Sequence, residues 1–231
     1  MRQRPGTLIG MLAALAMASG CATMKPMALS KEVQAIPLDG QQSLALASVK
    51  VANVYKTGYQ PHVKDVRVKT AGPESTELAF TVVAPYRASA DEASQFEEIL
   101  VSMALAPGEY EMTGVRVAAG SFLMPGNGMV PVNATFRVPA GKVVYLGRIE
   151  AVRRERNGDE PRAGPVIPLI DQSVTWFSGG TFDVKLFDGY DHDLPLMKAE
   201  YPALQSVAVE KAFLTPKPPE AAPAAPPQPA Q

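Results

Sequence analysis

Residues 132–151 read VNATFRVPAGKVVYLGRIEA, and this stretch decides the fold that the sequence predicts. Apolar residues occupy every second position from Val132 to Val138. The turn signal Pro139-Ala140-Gly141 follows, and a second run then places Val143, Tyr145, Ile149 and Ala151 on an apolar face. Alternation with a period of two is typical of a strand with one face in a core. The stretch therefore predicts two β-strands joined by a tight turn.

The same period recurs on both sides of this stretch. Alternating apolar residues occur within five further segments, 66–68, 78–82, 99–105, 110–117 and 182–186. Turn signals rich in glycine and proline separate these segments, and the apolar positions shift by one across Gly114, which indicates a β-bulge. Several short strands separated in this way predict a mainly β domain, folded as an antiparallel β-sandwich.

One or two short helices are expected beside the strands. Residues 191–201 place apolar side chains on one helical face, and Asp191 or Asp193 would cap this helix. Residues 87–98 predict a second, shorter helix. The pattern of residues 203–214 leaves helix and strand equally open.

The chain divides into four regions. They are a signal peptide at 1–20, a lipidated tether at 21–42, the sandwich domain at 43–214 and a tail at 215–231. The tether shows no sustained hydrophobic period and is expected to be flexible. The tail holds seven prolines, and we expect a disordered, extended end because proline- and alanine-rich chain cannot build a core. Two other uses of the tail stay open, as a ligand for a partner's aromatic groove or as a spacer towards peptidoglycan.

The first twenty residues have the organisation of a secretory signal. Arg2 and Arg4 precede the uncharged apolar run 7–17, which is too short to span a bilayer as a helix. The small residues of Ala18-Ser19-Gly20 then lead directly to Cys21. This arrangement resembles the lipobox of bacterial lipoproteins, with Ala18 at a position where leucine is preferred. The resemblance implies cleavage before Cys21 and attachment of the protein to a membrane through lipid on that cysteine.

Two residues refine this expectation. Cys21 is the only cysteine of the chain, and we expect it to carry the lipid. Neither an internal disulfide nor a cysteine nucleophile is therefore expected. Ala22 stands where an aspartate would resemble an inner-membrane retention signal. The resemblance to lipoproteins therefore implies a lipid-anchored protein of the outer membrane, with its domain facing the periplasm.

Two passages resemble known sequence patterns. Residues 105–110 (LAPGEY) look like the entry to a strand in prealbumin-like and immunoglobulin-like sandwiches. Residues 136–147 (FRVPAGKVVYLG) resemble a strand–turn–strand of uncharacterised Gram-negative outer-membrane lipoproteins, where one strand ends in "aGK" and the next reads "vYLG". Both resemblances imply the β-sandwich fold. They imply no catalytic residues, since that family has none established.

Few residues suggest chemistry. The two histidines are His62 and His192, and the second lies between Asp191 and Asp193. This triplet is a weak metal candidate, because adjacent residues point in different directions and no second histidine has a ligand spacing. Capping by the aspartates explains the same residues, so we expect no metal and no cofactor. No Gly-x-Ser-x-Gly motif is present.

The sequence leaves two functions open. Trp176 and Phe177 are adjacent large aromatics, and one of them is a candidate contact with a partner. The first hypothesis is a non-enzymatic lipoprotein that binds an envelope protein, peptidoglycan or polysaccharide; the net charge of −1 argues against nucleic acid. The alternative is a periplasmic hydrolase with a dispersed active site involving His62 or His192.

Overall fold

The computed structural model describes residues 22–72, 75–82, 96–121, 124–166, 168 and 178–218. Within these ranges the elements are β1 (Thr23–Pro26), β2 (Ser43–Asn53), β3 (His62–Thr70), β4 (Glu77–Thr81), β5 (Phe96–Leu105), β6 (Gly108–Ser121), β7 (Met124–Val138), β8 (Val143–Glu155), β9 (Gly180–Phe187), α1 (Tyr190–Glu200), a 3-10 helix (Pro202–Leu204), β10 (Val209–Lys211) and β11 (Thr215–Pro216).

The strands form two sheets. Sheet A has the order β1-β4-β3-β6-β7-β11, and sheet B has the order β10-β8-β2-β5, with β9 also paired to β8. The predicted mainly β sandwich with a short helix is therefore confirmed. The expectation of antiparallel sheets is wrong in part, because β1 with β4, β2 with β8 and β10 with β8 are parallel pairs. The period of two reports which face of a strand is buried, and it carries no information on strand direction.

The main core lies between the two sheets. Sheet B contributes Val49, Ile99 and Ile149 to it, while sheet A contributes Val66 and Phe136, all of them buried. Burial of each large apolar side chain of this kind is worth about 1.5–3 kcal/mol. The alternation visible in the sequence therefore marks the inner face of each sheet.

A second core covers the outer face of sheet B. Leu44, Leu46 and Tyr145 of the sheet pack there against Met197 of α1, and residues 28–38 cover the remaining apolar surface. Sheet B is consequently buried on both faces over this region. This burial explains why the sequence of β2 is almost continuously apolar rather than alternating.

Residues 22–42 belong to the domain, whereas the sequence predicts a tether. β1 pairs with β4, and the backbone N–H of Leu29 donates to Ser102 Oγ at 3.0 Å. Val33 and Ile36 pack against the second core. The segment shows no period because most of it is irregular, so its apolar residues reach sheet B one at a time rather than from one face of a regular element.

The start of the helix also differs from the prediction. Its N-cap is Gly189, which offers no side-chain hydrogen bond, and Asp188 Oδ1 accepts from the N–H of Tyr190 at 2.9 Å. Neither Asp191 nor Asp193 caps the helix, so the capping interpretation is wrong. Asp191 is exposed, while Asp193 is fully buried.

Three further predictions have mixed outcomes. Residues 96–98 open β5, and residues 87–95 of the predicted second helix lie outside the described residues. The open segment 203–214 contains the end of the 3-10 helix and β10. The first residues of the tail form β11 on the edge of sheet A, and residues 219–231 lie outside the described part.

Two of the bulges in the described strands change the direction of side chains that the sequence singled out. As the sequence predicts, the β6–β7 register shifts between Met112 and Gly114. A second shift lies in β8 at Gly147, whose φ is +112°. The extra residue turns both Tyr145 and Arg148 to the outer face of sheet B. Tyr145 and Ile149 therefore lie on opposite faces, which corrects the sequence prediction that they share one.

Candidate functional site

The most concentrated group of polar side chains surrounds Asp193, beneath the first turn of α1. Asp193 is 0% exposed. Its Oδ2 accepts hydrogen bonds from the hydroxyls of Ser48 and Tyr145, the latter at 2.6 Å. Its Oδ1 accepts from Arg148 Nη1 at 2.6 Å. All four side chains meet where α1 crosses the outer face of sheet B.

Adjacent strands of sheet B supply the partners of Asp193. Ser48 lies on β2 directly opposite Arg148 of β8, and Glu98 lies on β5 at the far side of β2. Arg148 Nη1 is 2.8 Å from Glu98 Oε1. The bulge at Gly147 makes this arrangement possible, since it places Tyr145 and Arg148 on one face. We call Ser48, Glu98, Tyr145, Arg148 and Asp193 the Asp193 network.

Close approach of the helix depends on Gly189. A Cβ at this position would lie 2.9 Å from both Asp193 Oδ2 and Tyr145 Oη. Such contacts are closer than carbon and oxygen atoms tolerate, so a larger residue would push the first turn of α1 away from sheet B. The backbone carbonyl of Gly189 also accepts the N–H of Asp193 at 2.8 Å.

Burial and hydrogen bonding act in opposite directions on Asp193. Burial alone would raise the pKa of its carboxyl. Hydrogen bonds from Ser48, Tyr145 and His192, together with the charge of Arg148, outweigh burial and hold that pKa below its usual range. Burial and the bond to Asp193 raise the pKa of the Tyr145 hydroxyl far above its ordinary value. Asp193 is therefore ionised and Tyr145 neutral at any physiological pH.

The group that could hold a metal differs from the weak candidate triplet Asp191, His192 and Asp193. One ligand atom each from Glu98, His192 and Asp193 lie within 4.8 Å of one another, and the exposed Asp191 takes no part. Arg148 Nη1 lies among these atoms, 3.3 Å from His192 Nδ1 in addition to its contacts with both carboxylates. Since guanidinium is a permanent cation, Arg148 already supplies the positive charge that a metal would bring.

The two histidines lie apart, each beside a carboxylate. The side chain of His192 is 63% exposed, and its Nδ1 lies 2.9 Å from Asp193 Oδ1. His62 is half-exposed, and its Nδ1 lies 3.2 Å from Oε1 of the buried Glu97. Glu97 Oε2 in turn accepts the N–H of Val63 at 2.6 Å, which fixes the carboxylate. The structure therefore separates the two candidate catalytic histidines into different environments.

The geometry of the Asp193 network favours a structural role. Ser48 and Tyr145 are 0% exposed, so a substrate cannot reach either hydroxyl without movement of α1. The hydroxyl of Ser48 donates to the carboxylate of Asp193, whose lowered pKa makes it a weak base for activating a hydroxyl. The network instead connects α1 with three adjacent strands of sheet B.

Arg153, near the end of β8, is a further cation in the protein interior. Arg153 is 0% exposed, donates to Asn53 Oδ1 at 3.0 Å and lies 5.2 Å from the centroid of the Tyr55 ring. Burial lowers the pKa of this guanidinium to about 10, so it still carries its charge at neutral pH. A Cβ on Gly180 would lie 2.7 Å from Arg153 Nε, which explains the glycine at the start of β9.

Two cavities are candidate binding sites. A groove of 490 Å³ lies between the edges of the sheets and is lined by Glu111, Asn133 and Lys217 among others. A cavity of 170 Å³ lies beneath residues 28–37 and is lined mainly by apolar side chains of this segment and of β2. Neither lining includes His62 or His192, so these two cavities lend no support to a hydrolase built on a histidine.

Most residues of the Asp193 network were not predicted from the sequence. Ser48 interrupts the apolar run of β2, and Arg148 follows Tyr145 and a glycine; these are the signals that could have drawn attention to them. Of the other predicted sites, Cys21, Trp176 and Phe177 lie outside the described residues.

The fold and the site together define a class, a two-sheet sandwich whose covering helix is held by a buried ion-pair network. Comparison of the chain with protein-family models, curated proteins and solved structures gave no match. In the described part of the chain, helices are all too short or too polar to cross a membrane.

The lowered pKa of Asp193 predicts an acid-sensitive contribution to stability. A carboxyl whose pKa is lower in the folded than in the unfolded chain stabilises the fold above its ordinary pKa of 3.8, and this stabilisation is lost as the pH falls through the folded value. We expect the advantage of the wild type over Asp193→Asn to shrink below about pH 4. Urea unfolding of both proteins across a pH series measures it. A constant difference down to about pH 2 would contradict the assignment.

Proposed function

We propose that this chain is a lipid-anchored lipoprotein of the bacterial outer membrane whose sandwich domain binds a component of the cell envelope and catalyses no reaction. The observation that supports this proposal is that the most concentrated group of polar side chains has a structural role. The hydroxyls of Ser48 and Tyr145 donate to Asp193, and these buried contacts hold α1 against sheet B. Val54 and Tyr59, by contrast, are large side chains with 60% and 41% of their surface exposed, and a partner could contact this surface.

Lipid attachment is tested through Cys21. In cells fed radiolabelled palmitate, the wild type is expected to incorporate the label and to fractionate with membranes. Cys21→Ser removes the acceptor thiol, so this variant should incorporate no label and should leave the membrane fraction. Ala22→Asp is the matched control for sorting, since it keeps the thiol and should stay labelled while moving to the inner membrane. A labelled Cys21→Ser variant would overturn the anchor.

Binding is tested by crosslinking from the exposed apolar residues. A photoreactive amino acid in place of Tyr59 is expected to capture a defined envelope protein or a glycan in intact cells. Placed at the exposed Asp191, in α1 on the outer face of sheet B, the same group provides a control for random capture. Equal capture from both positions, or from neither, would argue against a binding role for this surface.

The hydrolase alternative has one specific observation in its favour. A buried carboxylate holding an exposed histidine, as Glu97 holds His62, is an arrangement that orients a general base. If the protein is a hydrolase of this kind, the His62→Ala variant should fold normally but should fail to complement a null mutant. Full complementation by a variant lacking both His62 and His192 would remove this alternative.

A further inference from the structure

The start of the described chain constrains how the domain can sit on a membrane. Thr23 begins β1 and pairs with Leu78, so only Ala22 separates the paired backbone from Cys21. Consecutive Cα atoms are about 3.8 Å apart, which limits the distance between the Cα atoms of Cys21 and Thr23 to about 7 Å. A lipid on Cys21 would therefore be attached almost directly to an edge strand of sheet A.

The direction of β1 identifies the end of the sandwich from which Cys21 extends. β1 runs parallel to β4, so its start lies beside Glu77 and the β3–β4 connection. The β5–β6 connection at 106–107 and the β7–β8 connection at 139–142 lie at the same end, because Thr70 pairs with Tyr110 and Gly108 with Val138. We call this the proximal end.

The opposite end is far from Cys21. It carries the β2–β3 connection at 54–61, with the exposed Val54 and Tyr59, and the described residues 156–160 that follow β8. β8 runs from the proximal end towards this distal end over 13 residues. At a rise of about 3.3 Å per residue, the two ends are separated by about 40 Å.

We propose that the proximal end is a membrane-docking surface, on which the lipid of Cys21 holds the sandwich upright against the phospholipid headgroups with the distal end directed away from the bilayer. This inference rests on the proposed lipid attachment and adds an orientation to it. A flexible tether of about twenty residues would allow every orientation, whereas a single residue between Cys21 and a paired strand allows few.

The surface chemistry of the proximal end suits contact with headgroups. Met24 of β1 is 53% exposed and lies next to the lipid attachment point. Cations at this end lie beside carboxylates: Lys69 and Lys217 beside Glu111, Arg137 beside Glu109, and Lys142 beside Glu210. With the exposed Lys25 of β1, the described surface has no excess of negative charge that would repel anionic headgroups. An apolar residue at the anchor can then enter the interface.

Energy transfer to labelled lipid tests this orientation. A lipidated Cys21 carries no free thiol, so a cysteine introduced by Ser75→Cys or Asp159→Cys is the only site for a maleimide fluorophore. Ser75 and Asp159 are both exposed, and they lie in the β3–β4 connection at the proximal end and in the β8–β9 connection at the distal end. The lipidated proteins would be reconstituted in phosphatidylethanolamine and phosphatidylglycerol vesicles that contain a headgroup-linked acceptor.

We expect strong transfer from the label at position 75 and at least a fivefold weaker transfer from position 159. A matched control inserts about twelve Gly and Ser residues between Cys21 and Ala22, which should remove most of this difference because such linkers behave as flexible coils. Equal transfer from both positions in the lipidated protein, without the insert, would overturn the orientation alone. A protein that carries no lipid on Cys21 would overturn the proposed anchor and the orientation with it.

Discussion

Replacement of Asp193 with alanine is expected to lower the free energy of unfolding by about 3–5 kcal/mol, the range for removing one partner of a buried ion pair. The substitution leaves Arg148 facing Glu98 alone and removes the acceptor of the Ser48 and Tyr145 hydroxyls. Since domains are typically stable by only about 5–15 kcal/mol, this loss is a large part of the total. Urea unfolding at neutral pH, followed by circular dichroism, measures it.

Two controls separate the network from general effects on the helix. Asp191→Ala changes an exposed carboxylate in the same turn and should cost less than about 1 kcal/mol, mainly through the helix dipole. Asp193→Asn keeps the shape of the side chain and one acceptor, so it should fall between the two. A loss below about 1 kcal/mol for Asp193→Ala would show that apolar packing of Met197 and Tyr201 fastens α1 without help from the network.

A double-mutant cycle measures the direct interaction between Arg148 and Asp193. Arg148→Met also leaves the buried Glu98 without its cation, so this single variant should lose stability by itself. We expect the loss in the double variant Arg148→Met with Asp193→Leu to be smaller than the sum of the two single losses. Additive losses from the two substitutions would contradict a direct interaction between these residues.

Gly147→Ala is expected to have the second largest effect, a loss of about 2–4 kcal/mol in the free energy of unfolding. Gly147 has a φ of +112°, a region that side-chain-bearing residues rarely adopt, and a Cβ there would lie 3.1 Å from the carbonyl oxygen of Phe187. Backbone strain accounts for about 1–3 kcal/mol of the expected loss, and the close contact accounts for the rest. Thermal and urea unfolding of the two proteins measure the change.

Gly158→Ala is the matched control for this variant. Gly158 also has a positive φ, of +54°, but lies in the β8–β9 connection with no atom within 4 Å of the added Cβ. Its substitution should cost about 1 kcal/mol. Equal losses at both positions would mean that the bulge tolerates a side chain. The losses from Gly147→Ala and Asp193→Ala should be less than additive when combined, because both substitutions disturb the position of Arg148.

Much of the fold could be predicted because its determinants are local. The alternation in residues 132–138 identifies strand β7, and the turn signal at 139–141 separates it from β8. The parity shift at Gly114 correctly indicated a bulge. In each case, neighbouring residues along the chain carry the whole signal, since a strand turns alternate side chains to opposite faces.

The tertiary structure decided what depends on distant partners. Strand direction in the three parallel pairs, the place of residues 22–42 within the domain, and the burial of Asp193 have no local pattern. Asp193 illustrates the reason most clearly, because one donor to its carboxylate, Ser48, lies 145 positions earlier. An aspartate in the first turn of a helix is locally a good cap, and the same residue becomes the centre of a network only when sheet B lies beneath it.

The proposed lipid anchor rests on the sequence, whereas the proposed docking surface rests on the tertiary structure. The lipobox-like residues before Cys21 form a contiguous motif, so the sequence by itself determined the prediction of a membrane-attached protein. Whether the domain is free on a tether or attached at its edge depends on the pairing of Thr23 with Leu78, which lie 55 positions apart. Backbone hydrogen bonds between such segments depend on the folding of the intervening chain. For this reason the sequence predicts attachment to a membrane, whereas the proposed orientation rests on the tertiary structure.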